Sequence, residues 1–465
     1  MRRARWLWVL IPVLGIGGWL LVGRSDVRQP AAAPVRAARF LLIVSDSLRA
    51  DHVGCYGSAK GLTPNIDAFA KRAARFDNAY AASSWTCPSN AALMTGKYPR
   101  EVQQRNAMRL AANAVTMAEC FRDAGYATAG FSSHLLMSGR YGFDQGFQSF
   151  ACKRLQDDEM ADRCIQWMSA HAEEPFFVLL YLLDPHWPYD PEAAGASRVP
   201  PKADVRERVA EGYSPLDAEV RVPRIVKRPR GDEEMSLDEV EYLHALYDGD
   251  VASVDARIGR VLRAASGFED LAVVVAADHG EEWLDHGGLS HLYTLYDELL
   301  DIPLIMSVPG QQPRVVSAPV SNLDVLPTLL GLADIERPEG LRGINLLPLD
   351  KLPARRALAA EVHGWNPCGV SRYGVRLDDQ TLICTMAGLS DEPKPPPRGR
   401  FERYNYVEDP RQQRPLPLND PKSDYLWRLM RASNPFAALA RAGDQRPKLD
   451  AKTTEELRSI GYVGK

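Results

Sequence analysis

Short, unbroken apolar runs that recur along the chain constrain its fold more than any other feature. Residues 40–45 read FLLIVS, and similar runs occupy residues 127–131, 176–183, 271–277 and 304–308. An apolar run without alternation is typical of a strand that is buried on both faces. Helix-like stretches lie between these runs, at residues 65–75, 117–124 and 237–262. The sequence therefore predicts a three-layer α/β/α sandwich around a mainly parallel mixed sheet.

Changes in composition divide the chain into segments. We assign residues 1–24 to an N-terminal segment, 25–38 to a Pro/Ala-rich linker, 39–349 to the main domain and 350–465 to a smaller C-terminal α+β subdomain with a tail. Residues 190–234 are rich in Pro, Arg and acidic residues, which favours a surface insertion. Residues 387–421 have a similar composition.

The N-terminal segment has the pattern of an export signal. Arg2, Arg3 and Arg5 precede an uncharged, apolar stretch at residues 6–22, which is close to the minimum length for a membrane span. We favour an uncleaved membrane anchor, because no small-x-small site directly follows the apolar stretch. A cleaved signal peptide is the alternative, with small residues at 31–33. The remainder of the chain is then predicted to be periplasmic or extracellular, and secreted if the segment is cleaved.

Charge and cysteine content exclude some classes of function. The formal net charge is −4, and no basic run is interleaved with aromatic residues, so we predict no nucleic-acid partner. The chain has seven cysteines, and export would permit disulfides. Cys152 with Cys164, or Cys368 with Cys384, are close enough in sequence to pair.

Polar residues follow three of the predicted strands. Asp46 follows the first strand, Asp184 and His186 follow the run at residues 176–183, and Asp278 with His279 follow the run at residues 271–277. Active sites of open α/β sheets lie at the carboxyl ends of strands. Carboxylates and imidazoles that meet there suit a divalent cation and the hydrolysis of anionic esters.

Longer motifs around these residues resemble the sulfatase family of the alkaline phosphatase superfamily. They lie at residues 46–52, 54–57, 63–67, 86–99, 142–147, 186–189, 278–281, 285–287, 295–298, 324–330 and 456–462. The resemblance covers most of residues 40–347 and implies a metal-dependent ester hydrolase.

One position departs from the family pattern. Sulfatases that carry formylglycine form it from a cysteine two residues before a proline, within Cys-x-Pro-x-Arg. Here Thr86 stands at the cysteine position and Asn90 at the arginine position, while Cys87 is out of frame. We therefore predict that formylglycine is absent and that Thr86 is the nucleophile, as in relatives that use an unmodified threonine. The alternative is that Thr86 only caps a helix that begins near Ser89.

The resemblance also implies roles for other residues. Asp46, Asp278 and His279 are the implied metal ligands, and Ser47 stands where many sulfatases have a further ligand aspartate. This ligand set favours one zinc or manganese ion, with calcium as an alternative. The imidazoles of His186 and His291 are candidates for contacting the ester anion or protonating the leaving group, and are catalytic residues in this interpretation.

The predicted function is the hydrolysis of sulfate or phosphate esters through the threonine, on an anionic substrate such as a glycan or lipid head group. The threonine favours phosphate mono- or diesters, because a sulfated threonine lacks the elimination route of formylglycine. Two alternatives differ in class. One is a membrane-anchored phospho-group transferase similar to phosphoethanolamine transferases, and the other is a non-catalytic sulfatase-like binding protein.

Overall fold

A computed structural model describes residues 37–103, 109–187, 189, 237–286, 289–291, 294–362, 371–386 and 400–432. The predicted anchor at residues 1–24, most of the linker and the whole insertion at residues 190–234 lie outside this part of the chain. Within the described part, the helices are too short or too polar to span a membrane.

Helices and strands alternate along the main domain, and the described C-terminal part consists of four strands followed by one helix. The helices are α1 (Pro64–Ala70), α2 (Thr86–Thr95), α3 (Pro99–Val102), α4 (Met117–Asp123), α5 (Asp157–Ala170), α6 (Leu237–Ala265), α7 (Asp297–Leu300), α8 (Val325–Ala333) and α9 (Pro421–Ala432). The strands are β1 (Arg39–Ser45), β2 (Ala74–Phe76), β3 (Ala79–Tyr80), β4 (Ala127–Ser132), β5 (Ser149–Cys152), β6 (Phe176–Leu182), β7 (Leu271–Ala277), β8 (Glu282–Trp283), β9 (Leu289–Ser290), β10 (Leu304–Ser307), β11 (Arg314–Val316), β12 (Val320–Ser321), β13 (Leu358–Val362), β14 (Ser371–Leu377), β15 (Gln380–Met386) and β16 (Arg400–Asn405).

Eight of the described strands form one mixed sheet in the order β11-β2-β10-β7-β1-β6-β4-β5. The neighbours from β7 to β5 run parallel, and β10 is antiparallel to both β7 and β2. Every residue of β6 and β7 is buried, as expected for strands with both faces covered. The mainly parallel mixed sheet that the apolar runs predict is therefore confirmed.

Helices cover both faces of this sheet. Phe176 and Phe177 are successive residues of β6, so their side chains point to opposite faces. The ring of Phe176 packs edge-on against Trp167 of α5, with centroids 5.6 Å apart. The ring of Phe177 stacks on Phe121 of α4, with centroids 4.8 Å apart. The two helices thus lie in different layers, which confirms the three-layer sandwich.

A separate antiparallel sheet, β13-β14-β15-β16, forms the C-terminal part together with α9. Its own apolar cluster includes Val375, Leu382 and Leu429. Buried arginines join it to the main domain, since Arg356 donates two hydrogen bonds to the carboxylate of Asp324, at 2.5 and 2.8 Å. The predicted α+β character of this part is confirmed, and β16 lies inside residues 387–421, whose composition is similar to that of the predicted insertion.

Two local predictions are wrong. The helix expected over residues 65–75 ends at Ala70, because residues 74–76 form β2 and pair with β10 and β11 instead. Cys152 and Cys164 are unpaired thiols, so the disulfide suggested by their spacing is not formed. The other suggested pair includes Cys368, which lies outside the described residues.

Candidate active site and metal centre

Four neighbouring strands bring the candidate residues to one edge of the sheet. β7, β1, β6 and β4 are adjacent and parallel, so their carboxyl ends lie side by side. Asp278, Asp46, His186 and His134 follow these strands in that order. The helix α2 begins at Thr86 on the same edge. This is the position at which open α/β sheets bind their ligands.

Asp46 and Asp278 form the most polar part of this edge. Both carboxylates are fully buried, and His279 Nε2 lies 3.6 Å from Asp46 Oδ1 and from Asp278 Oδ2. Burial, reinforced by the negative charge of Asp278, raises the pKa of Asp46 well above its usual value. In the described part of the chain neither carboxylate forms an ion pair with lysine or arginine.

These residues fit a divalent cation. Buried carboxylates are normally paired with a cation or bound to a metal, and here the ordinary partners are missing among the described residues. Single oxygen or nitrogen atoms of Asp46, Asp278 and His279 lie within 4.8 Å of one another. His279 Nδ1 is 2.8 Å from the Gly280 carbonyl, which leaves Nε2 directed at the aspartates as a ligand atom.

Further side chains orient the carboxylates. The Tyr181 hydroxyl lies 2.7 Å from Asp46 Oδ2 and 2.8 Å from Asp278 Oδ2. Ser47 Oγ donates to Asp46 Oδ1 at 3.0 Å, and the Ser47 amide donates to Asp278 Oδ1 at 3.2 Å. Asn90 Nδ2 donates to Asp278 Oδ2 at 2.9 Å. Ser47 and Asn90 therefore hold the pair in place.

Thr86 faces the same centre. It is the first residue of α2 and is fully buried, and its Oγ1 lies 3.3 Å from His279 Nε2. The N-cap of α2 is Trp85, so the interpretation of Thr86 as only a cap for a helix near Ser89 is wrong. The Sγ of the neighbouring Cys87 lies 3.8 Å from the Leu136 carbonyl, and burial, with the charges of Asp46 and Asp278, raises the pKa of its thiol well above the usual value.

Three imidazoles lie beside the aspartates. Ring centroids are 5.0 Å apart for His134 and His186, and 4.8 Å apart for His186 and His291. Burial, together with the repulsion among these imidazoles, lowers the pKa of His134 and His291, and burial also lowers that of His186. His291 Nδ1 lies 3.0 Å from Glu281 Oε1, and burial raises the pKa of Glu281 to about 7.

The geometry agrees with the comparisons with known proteins. A family model described as Sulfatase matches residues 39–335, which is more than half of the chain. The chain belongs to the sulfatase family. As a member it is a hydrolase of ester bonds, of the sulfate or phosphate class.

Among curated proteins, this sulfatase is 27% identical over 369 residues to the uncharacterized sulfatase YidJ of Escherichia coli, covering 67% of this chain and 71% of the relative. It is also 27% identical over 352 residues to the delta 4,5-hexuronate-2-O-sulfatase of Bacteroides thetaiotaomicron, covering 68% of this chain and 73% of the relative.

Solved structures support the alkaline-phosphatase-like fold. A protein in complex with its substrate D-glucosamine-2-N,6-O-disulfate superposes with a TM-score of 0.67 at 21% identity, covering 89% of this chain and 99% of that one. The phosphonate monoester hydrolase of Silicibacter pomeroyi gives a TM-score of 0.65 at 22% identity, covering 88% and 97%.

The structure brings together all six site residues that the sequence singled out, and it adds His134, Tyr181, Asn90 and Glu281. His134 follows β4, and the same strand-end argument that selected Asp46 could have found it. Tyr181 sits inside an apolar strand and reads as core. Asn90 was noted only as a departure from the family pattern. His286 lies elsewhere, with Nδ1 2.7 Å from Glu298 Oε1 and Nε2 3.1 Å from the Gln412 carbonyl.

Tyr181→Phe is expected to weaken cation binding by about 10- to 100-fold, because it removes the hydroxyl shared by the two carboxylates and keeps the buried ring. The dissociation constant from a metal titration checks this. Tyr56→Phe is the matched control, since its hydroxyl bonds, among the described residues, only to backbone groups of Leu304. Equal affinities in the two variants would contradict a role for Tyr181 at the cation.

Proposed function

We propose that this sulfatase-family protein hydrolyses sulfate or phosphate esters with Thr86 as nucleophile and one divalent cation held by Asp46, Asp278 and His279. The observation that carries the proposal is the 3.3 Å distance between Thr86 Oγ1 and His279 Nε2, beside two buried aspartates. Zinc or manganese suits this set of two carboxylates and one imidazole better than calcium does.

In this mechanism a bound cation lowers the pKa of a coordinated hydroxyl and balances negative charge on the ester. Thr86 Oγ would release its proton to water, attack phosphorus or sulfur, and break the bond to the leaving oxygen. His291 is suited to protonate that oxygen from Nε2, because Glu281 can supply a proton to Nδ1. His186 contacts an anionic oxygen of the ester. Water then attacks the ester on Thr86 and releases inorganic sulfate or phosphate from a monoester substrate, or the remaining phosphate monoester from a diester.

Thr86 also bears on the choice between esters. Its hydroxyl cannot form formylglycine, and the buried Cys87 thiol is an unsuitable replacement, because burial and the charges of Asp46 and Asp278 raise its pKa well above the usual value and keep it protonated. The sulfated threonine formed from a sulfate ester would have to be cleaved by water without the elimination route of formylglycine. Phosphate mono- or diesters are therefore the preferred class in this proposal.

The substrate is proposed to be an anionic ester on a glycan or lipid head group. One relative, a hexuronate sulfatase, supports the glycan indirectly, and a protein of similar fold was solved with a disulfated glucosamine. An exported catalytic domain, anchored through residues 1–24, would meet such substrates outside the cytoplasm. This location rests on the sequence pattern alone.

Turnover of nitrophenyl phosphate, a nitrophenyl phosphodiester and nitrophenyl sulfate tests the function. We expect the full-length protein, loaded with zinc or manganese, to hydrolyse at least one phosphate ester faster than the sulfate, and chelator to stop it. A preference for the sulfate would contradict the phosphate class. Failure with all three esters in a metal-loaded protein would favour a transferase or a binding protein.

A further inference from the structure

We propose that this protein holds a second divalent cation, bound by His134, His186 and Asp46, next to the cation of the proposed function. The inference rests on that function, since Asp46 is shared between the two sites. The class of ion is zinc or manganese, because two imidazoles and one carboxylate are the ligands.

The geometry brings the three ligand groups together. Asp46, His134 and His186 follow the adjacent parallel strands β1, β4 and β6. One candidate ligand atom from each lies within 4.8 Å of the others. His134 Nδ1 is 3.9 Å from Asp46 Oδ2, while His279 faces the other oxygen of the same carboxylate. One carboxylate can therefore bridge two ions, one through each oxygen.

The hydrogen bonds of the imidazoles leave nitrogen atoms for such an ion. His134 Nδ1 is buried and has no hydrogen-bond partner in the described part of the chain. A buried imidazole nitrogen without a partner is costly unless something binds it. His186 Nδ1 is bonded to the Trp187 carbonyl, which leaves Nε2 available. Metal-binding histidines commonly use the second nitrogen in this way. With the second ion bound, His186 acts on the ester oxygen through that ion and not by direct contact.

The net charge of the centre gives an independent argument for a second cation. Asp46, Asp278 and a deprotonated Thr86 carry three negative charges, and one divalent cation leaves the centre negative toward an anionic ester. A second cation makes it positive, which matters most for a doubly charged phosphate monoester. Arg154 is near enough for its charge to act on His134, but it forms no ion pair with either aspartate among the described residues.

Asp184 is an unsuitable ligand for this ion, although it also follows β6. Its carboxylate is ion-paired with Arg257, which in turn contacts Asp158. A further cluster of possible metal ligands consists of Glu282, His286 and Glu298. It is excluded as a cation site, because both ring nitrogens of His286 already have hydrogen-bond partners. The cluster of His134, His186 and Asp46 is therefore the candidate site for the second cation.

Metal stoichiometry tests the proposal without relying on activity. The full-length protein is stripped with chelator and titrated with Co²⁺ as the probe, and bound metal is quantified with the visible spectrum. We expect two equivalents in the wild type and one in His134→Gln and in His186→Gln. His171→Gln and His286→Gln are matched controls, which should keep two equivalents. The thermal unfolding midpoint of each variant confirms that it is folded.

Each other outcome counts against a defined part of the account. One equivalent in the wild type, unchanged in folded His134→Gln and His186→Gln, would overturn the second site and leave the proposed function intact. Two equivalents in all variants would overturn these ligands. No metal binding in the wild type would overturn both the proposed function and the second site. Loss of turnover in a Thr86→Ala variant that still binds two ions would support both of them.

Discussion

Thr86→Ala is expected to lower kcat by at least about 10³-fold, because it removes the only atom that forms the proposed covalent ester. The free energy of unfolding should change by about 1 kcal/mol or less. The lost hydrogen bond to His279 lowers it, and the higher helix propensity of alanine partly offsets that loss. Steady-state rates with a nitrophenyl ester and a thermal unfolding curve measure the two effects.

The controls separate chemistry from packing. Thr86→Ser keeps a hydroxyl and should retain measurable turnover. Thr95→Ala removes another buried hydroxyl from α2, one that donates to the Ala91 carbonyl at 2.6 Å, and should leave kcat nearly unchanged. If Thr86→Ala turned over at the wild-type rate, Thr86 would not be the nucleophile.

Asp278→Asn is expected to weaken cation binding by more than about 100-fold and to abolish turnover at ordinary metal concentrations, because it removes a charged ligand from a buried centre. In the wild type, cation at 100 times its dissociation constant should stabilise the fold by about 2.7 kcal/mol. The variant should lose the increment of this cation and keep that of a cation bound by His134 and His186. Denaturant unfolding with metal and with chelator measures it.

Asp255→Asn is the matched control for a lost buried carboxylate. Asp255 accepts hydrogen bonds from the amides of Asn65 and Ile66 at the start of α1, so its loss should lower stability equally with and without metal. A metal-dependent increment as large in Asp278→Asn as in the wild type would show that Asp278 holds no cation.

The strand-end argument explains how much of the site was predictable. Unbroken apolar runs identify β1, β6 and β7, and in a parallel sheet their carboxyl ends must meet, so Asp46 and Asp278 could be placed together from the sequence. His134 obeys the same rule but was left out, because a single histidine after a short strand carries little signal. The family motifs identified Thr86, but its orientation toward His279 is visible only in the structure.

Other features depended on contacts that local sequence does not encode. β2 forms where a helix was expected, since pairing with β10 and β11 outweighs the helical pattern of residues 65–75. β16 lies in a stretch rich in proline and charge, and it forms as a partner of β15. Tyr181 looks like a core residue until two aspartates from neighbouring strands are brought to its hydroxyl.

The most direct test of the central claim is a rapid-quench experiment on the full-length protein with whichever nitrophenyl ester it turns over fastest. Peptide mass analysis at times shorter than one turnover should find the phospho or sulfo group on Thr86, with a burst of nitrophenol of matching size. Turnover without modified Thr86 that continues at the wild-type rate in Thr86→Ala would mean that water attacks the ester directly, and would contradict the account.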